Sequence, residues 1–258
     1  MRTAWLAIAL AALPLLARAS EVGCPGRIEQ PDTTATWYTA VSSNACALPV
    51  ATGAFVAAVA EVEFAGSAVC GRCARVTGPL GSVIVQITDY CPAGGNPLCV
   101  PGHLDLGRDA FEQIGNPVTG VIDIAWETVA CDEPGSVAFF FRSSSNPYYA
   151  KLQLRHQRYG IAQLEVRVDG AWQVLPRTGD GHFEHTSSPA PLPSAFDFRV
   201  TDVHGGVVEA LGIPYTENEE LDSGVQFATC PEPADAGGAA LLALVGVASL
   251  TARRNSSP

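Results

Sequence analysis

The sequence predicts an all-β protein of two domains. Three observations predict it: strand signals recur along the chain with turn residues between them, a two-residue hairpin signal joins two of them, and no long helical period appears. The runs are Val83–Ile87, Val121–Trp126, Lys151–Arg155, Leu164–Val168 and Phe196–Val200. Asp169-Gly170 sits between apolar runs and reads as a type I′ turn, because both central positions of that turn take positive φ. Leu106, Ala110, Phe111 and Ile114 fall at helical spacing and predict one short helix near Gly107 to Gly115, too little helix for a parallel βαβ fold.

The ends of the chain differ from its middle. Arg2, an apolar run from Ala4 to Leu16 and the small-residue site Ala17-Arg18-Ala19 are the three regions of a secretory signal peptide, assigned to residues 1–20. A membrane anchor is the weaker reading, since a spanning helix needs roughly twenty apolar residues. In an exported chain the eight cysteines read as disulfides. Cys70-Gly-Arg-Cys73 lacks a second CxxC and the chain has only five histidines, so no metal site is expected, and no cofactor is implied.

At the other end, Gly237 to Ala252 is uncharged and apolar and closes on Arg253-Arg254. As a helix it would be about 24 Å long, short of a ~30 Å hydrocarbon core but tolerable in a thin bilayer, with the arginines as a cytoplasmic stop. This makes it a possible membrane tether. With Cys230 upstream, residues 230–258 resemble the C-terminal sorting tails of myxobacterial surface proteins.

Between these ends, Asp132-Glu-Pro-Gly-Ser136 reads as a linker dividing a domain at 24–131 from one at 137–229. Pro189 to Pro193 reads as a surface loop, because the strand pattern resumes at once. Charge does not separate the halves: Cys24–Cys131 carries four Arg against ten Asp/Glu, and Asp132–Thr229 seven Lys/Arg against thirteen Asp/Glu, so each is −6. Acidity in both halves excludes nucleic acid and anionic polymers as partners of the bulk field. The chain is read as a monomer with a neutral partner, secreted or attached to the cell surface.

Asp89 closes an apolar run, and Asp105 follows sixteen residues later beyond a loop bracketed by Cys91 and Cys99. Two carboxylates flanking a loop suit a glycosidase, which needs a protonated acid and a second carboxylate roughly 5 to 9.5 Å away. Asp105 lies between Leu104 and Leu106, and an apolar setting keeps a carboxyl protonated. Asp89 beside Cys91-Pro92 has a plainer reading, a polar cap at a strand end. In the second half, Tyr148-Tyr149 precedes the alternation of Lys151–Leu154. Neighbours on a regular strand face opposite ways, so both rings face outward only if the backbone is irregular, as Pro147 allows. Trp172, after the hairpin turn, is expected in the core. His156, His182, His185 and His204 show no ligand spacing.

Thr36-Trp37-Tyr38, Cys70-Gly-Arg-Cys73, Thr88-Asp-Tyr-Cys-Pro92 and His103-Leu-Asp-Leu106, in this order, resemble the first domain of expansins, and Ser143 to Tyr159 resembles their second. The resemblance covers about Ala35 to Phe227. It implies a six-stranded double-psi β-barrel followed by an immunoglobulin-like sandwich that binds cellulose. It implies glycan contacts at Thr36, Asp89 and Asp105, with Tyr38 and Tyr90 secondary. Tyr148 and Tyr149 take the places of two tryptophans and Arg142 that of a basic residue, while the third aromatic of the row, near Asp180, is missing. Implied disulfides are Cys46–Cys70, Cys73–Cys131 and Cys91–Cys99. Cys24 and Cys230 are left over, either bonded together or with Cys230 as a processing or lipid-attachment site.

Asp105 matches the general acid of the related family-45 endoglucanases, whose base closely follows the Thr-x-Tyr element. Here Thr39-Ala40 follows and carries no carboxylate. With the acid present and the base missing, the resemblance points to a non-hydrolytic protein that binds cell-wall β-glucan and loosens its noncovalent packing, and away from an enzyme. The alternative is a weak endoglucanase or a lytic transglycosylase of the rare lipoprotein A kind, which cleaves with one acidic residue.

Overall fold

The computed structural model describes residues 26–40, 43–144, 146–187 and 189–230, within a compact unit spanning Cys24–Cys230. The segment read as a signal peptide (1–20), the apolar stretch Gly237 to Ala252 and Cys24 lie outside the described residues; Cys230 is disulfide-bonded. Among the described residues no helix is long and apolar enough to cross a membrane.

The chain is all-β, a six-stranded double-psi barrel followed by an immunoglobulin-like sandwich. Strands β1 (Glu29–Tyr38), β2 (Val56–Ala60), β3 (Cys73–Gly78), β4 (Gly81–Cys91), β5 (Leu104–Gly107) and β6 (Ile122–Val129) close in the order β1-β5-β2-β4-β3-β6. The pairs β1/β5 and β2/β4 are parallel; the others are antiparallel. Alternation sets the faces. On β4, Val83, Val85 and Ile87 are buried while Ile84 is exposed, and on β5 Leu104 and Leu106 are buried while Asp105 between them is not. Helix α2 (Arg108–Ile114) seats Ala110, Phe111 and Ile114 on the barrel core, and the single turn α1 (Glu61–Phe64) follows β2 and buries Phe64.

Strands β7 (Ala138–Phe141), β8 (Tyr149–Arg155), β9 (Ile161–Val168), β10 (Ala171–Val174), β11 (Phe183–Thr186), β12 (Ala195–Asp202), β13 (Val207–Pro214) and β14 (Glu220–Asp222) form two sheets, β10-β9-β12-β13 and β11-β8-β7-β14. Phenylalanines join them: Phe139 stacks on Phe198 at 4.7 Å and Phe141 on Phe196 at 5.7 Å. Asp169 and Gly170 both take positive φ, 49° and 82°, and turn β9 into β10.

Trp172 corrects an expectation. It is half-buried and stands opposite Arg167 in the β9/β10 ladder, with the guanidiniums of Arg199 and Arg167 over its ring at 5.0 and 5.9 Å. A tryptophan among arginines belongs to the sheet's outer face. The hairpin turn offset it from the buried register that Leu164 and Val166 occupy.

Disulfides join Cys46 to Cys70, Cys73 to Cys131 and Cys91 to Cys99. Barrel and sandwich meet through buried polar contacts. Gln153 Nε2 on β8 donates to the Cys46 carbonyl at 2.8 Å, Ser67 Oγ donates to the Thr178 carbonyl at 2.7 Å, and the Cys131 amide donates to the Arg158 carbonyl at 2.8 Å. Gly181, at φ 76°, passes so close that a Cβ there would lie 3.3 Å from the Cys46 carbonyl. Gln153→Leu keeps the bulk but strands that carbonyl in a dry contact, so it should cost about 1–3 kcal/mol, read as a lowered denaturation midpoint in urea.

Candidate functional site

The site begins with a register. Parallel pairing of β1 and β5 places Thr36 opposite Asp105 and Tyr38 opposite Gly107. Thr36 Oγ1 donates to Asp105 Oδ1 at 2.8 Å. His103, two residues before Asp105 and fully buried, lies between two hydroxyls: Nε2 is 3.0 Å from Thr36 Oγ1 and Nδ1 is 2.9 Å from Thr34 Oγ1. Burial lowers the pKa of the His103 imidazole.

A neutral imidazole fixes the direction of the chain. Thr36 has one proton and gives it to Asp105, so it must accept from His103 Nε2–H; Nδ1 then carries the lone pair and accepts from Thr34. Every donor in Thr34–His103–Thr36–Asp105 thus points toward Asp105 Oδ1. The Asp105 carboxyl is nevertheless raised above its ordinary value, because burial outweighs the Thr36 hydrogen bond, and the charge of Asp89 adds to the rise. With Oδ1 serving as acceptor, a proton on Asp105 belongs on Oδ2.

Asp89 reaches this site through β2. Ala58 is paired with Asp105 on one side and with Asp89 on the other, so the two aspartates stand two strand spacings apart, about 9.5 Å between Cα atoms. A carboxylate therefore does stand across from Asp105, on β4 and not on the segment after Tyr38. Its Oδ1 accepts two backbone N–H bonds, from Ala45 at 3.0 Å and Tyr90 at 2.9 Å, which hold it in place. Tyr38 packs on a small cluster of Ala58, Cys91 and Cys99. Burial first, then the negative charge of Asp89, push its phenol up to about 12, with Asp105 adding to the rise, so it stays a donor. Tyr90 instead lies tilted against Phe64, with ring centroids 4.9 Å apart, and remains partly exposed.

The sequence-predicted residues Thr36, Tyr38, Asp89 and Asp105 come together; Tyr90 stands beside them on Phe64. His103 and Thr34 were missed as participants. Their signal was the spacing, since Thr-x-Thr on one strand and His-x-Asp on another put two polar residues on one face each.

The second candidate surface lies on sheet β11-β8-β7-β14. Tyr148 is 42% exposed. Tyr149 donates from its hydroxyl to Glu184 Oε1 at 2.6 Å; burial, that bond and the Glu184 charge push its phenol up to about 12. Asp180 takes Lys151 Nζ at 2.8 Å and Arg142 more loosely at 4.0 Å. Against the upward push of burial, hydrogen bonds from Lys151 and Thr178 hold its carboxyl well below the usual range. An ion-pair cluster therefore borders Tyr149.

A family model described as "Lytic transglycolase" matches residues 33–126, most of the barrel. Expansin-YoaJ of Bacillus subtilis is 30% identical over 152 residues, covering 58% of this chain and 62% of that protein. Expansin-like protein 2 of Dictyostelium discoideum is 28% identical over 223 residues, 79% of this chain but 54% of its own length. A crystal structure of a mutant Clavibacter michiganensis expansin in complex with cellohexaose superposes with a TM-score of 0.69 at 28% identity, covering 79% of this chain and all of that one.

The raised Asp105 carboxyl gives a signed expectation. Its ionisation inside the fold costs stability once pH climbs through the raised value, and below the ordinary value of 3.8 both folded and unfolded forms are neutral. Asp105→Asn keeps an acceptor for Thr36 and removes the charge. Its melting temperature should exceed the parent's near neutrality, and the two should converge at about pH 3.

Proposed function

The chain belongs to the expansin family, and from that premise we propose that it is an exported protein that binds cell-wall β-glucan, cellulose foremost, and loosens its noncovalent packing without hydrolysis. The groove on the barrel holds one chain through Thr36, Asp89 and Asp105, with Tyr38 as a further donor. The sandwich anchors on the polysaccharide through Tyr148 and Tyr149 with Arg142 beside them. Attachment to the cell surface through the apolar tail belongs to the same reading.

One observation carries it. Asp105 is a half-buried carboxyl raised in pKa and served by a one-way chain of hydroxyl and imidazole donors, while Thr39-Ala40 supplies no carboxylate and one oxygen of Asp89 is already engaged by two backbone amides. In the neutral form that burial favours, Asp105 offers Oδ2–H to a glycan oxygen. That bond competes with the hydrogen bonds joining one glucan chain to the next, and leaves the glycosidic linkage intact where no base activates water.

A second reading is favoured by the description of the matching family model: lytic transglycosylation of peptidoglycan, for which a single acid suffices. Incubation with cellulose, chitin and peptidoglycan, with pull-down and product analysis on the same samples, separates the two. Retention on cellulose with no soluble sugar is expected. Fragments released from any of the three, and lost in Asp105→Asn, would establish an enzyme. Replacing Tyr148 and Tyr149 together by alanine should weaken adhesion to cellulose about tenfold, ~1.4 kcal/mol, measured as a binding isotherm.

A further inference from the structure

The seam between barrel and sandwich holds two cations. Gly160 of the sandwich lies close against Arg72 of the barrel: a Cβ there would stand 2.3 Å from the guanidinium Nε. That Nε is buried without a hydrogen-bond partner, while Nη1 donates to the Gly26 carbonyl at 3.3 Å. One residue on from Gly160, the Ile161 carbonyl accepts from Arg177 Nη2, and the Arg177 guanidinium lies over the Phe183 ring at 4.5 Å. Among the described residues no ion pair reaches either arginine. Asp180, the acid nearest Arg177 in sequence, is taken by Lys151 at 2.8 Å and by Arg142. Burial lowers the pKa of both guanidiniums, that of Arg177 to about 10 with the charge of Arg72 adding to the fall.

Charges withdrawn from water are normally paired, because desolvation without a counter-ion is costly. A cavity of about 10 Å³ opens beside Arg177, between Leu48 and Cys70 of the barrel and Gln157, Gly181 and Phe183 of the sandwich, and no acid lines it. It has room for a water or a monatomic anion. Gln157 Oε1, which belongs to the same lining, is also buried without a partner. A glutamine amide keeps its shape when turned end for end, so this position can equally present N–H donors. A water would serve Oε1 and leave both guanidiniums uncompensated. An anion answers the charge and accepts from the turned amide, so one occupant removes both deficits.

We propose that this seam binds a small inorganic anion of halide size, held by Arg177 and the Gln157 amide in the field of Arg72, and that the ion helps fasten the sandwich to the barrel. The site is independent of the glycan reading, since none of these residues belongs to the groove or to the tyrosine surface.

Thermal unfolding of the full chain in sodium chloride and in sodium gluconate, at equal ionic strength, tests it, because gluconate is too bulky for the cavity. Chloride should raise the melting temperature in a saturating manner, by about 3–6 °C at ten times its dissociation constant. Arg177→Met should abolish that rise. Gln157→Glu places a carboxylate in the cavity beside the guanidinium, so it should melt above the parent in gluconate and lose the response to chloride. This second variant decides the matter if Arg177→Met fails to fold. Diffraction from crystals grown in bromide should show an anomalous peak in the cavity. Equal melting of the parent in the two salts, a chloride rise that the folded variants keep, or a water in the cavity with no bromide would each overturn the site.

Discussion

The hydrogen bond from Thr36 to Asp105 depends on two strands far apart in sequence running in the same direction. Parallel neighbours cannot be joined by a tight turn, so the chain between β1 and β5 must travel around the barrel, laying down β2, β3 and β4 on the way. That detour inserts β2 between β5 and β4, which in turn sets Ala58 between the two aspartates. Were β1 shifted by one residue along β5, Thr36 would face Leu104 or Leu106, its side chain would point into the barrel core, and the acid would lose its donor. The whole polar face is a consequence of one register.

That face is built to hold a proton and to orient it. Burial and a neighbouring carboxylate favour the neutral acid, while the chain from Thr34 through His103 and Thr36 decides which oxygen is the acceptor. The same arrangement serves a protein that cleaves and one that only grips; the difference rests on whether a second group can strip a proton from water. Asp89 stands across Ala58 from Asp105, with one of its two carboxylate oxygens held by the amides of Ala45 and Tyr90.

Much of this was legible in residue order. Strand alternation at Val83–Ile87 and Leu104–Leu106 gave away which positions face inward, and Asp169-Gly170 could be read as a hairpin because only one turn type suits it. Asp105 between two leucines announced a carboxyl in an apolar frame. His103 was harder, since its partners Thr34 and Thr36 lie 69 and 67 residues away and meet it only once β1 and β5 are paired. Trp172 misled for a related reason: Arg199, which lies over its ring, belongs to β12, two strands over. The ion pairs of Asp180 with Lys151 and Arg142 likewise depend on sheet order, which local patterning does not encode.

Gln153 sits on the strand that begins with Tyr149, and its amide grips the Cys46 carbonyl. The preceding residue, Ala45, donates its N–H to Asp89. Two adjacent residues therefore bond to the sandwich on one side and to the groove on the other, and the disulfide from Cys46 to Cys70 fixes that span to the barrel. The contact made by Gln153 of the sandwich thus lies one residue from the amide that holds the groove carboxylate Asp89.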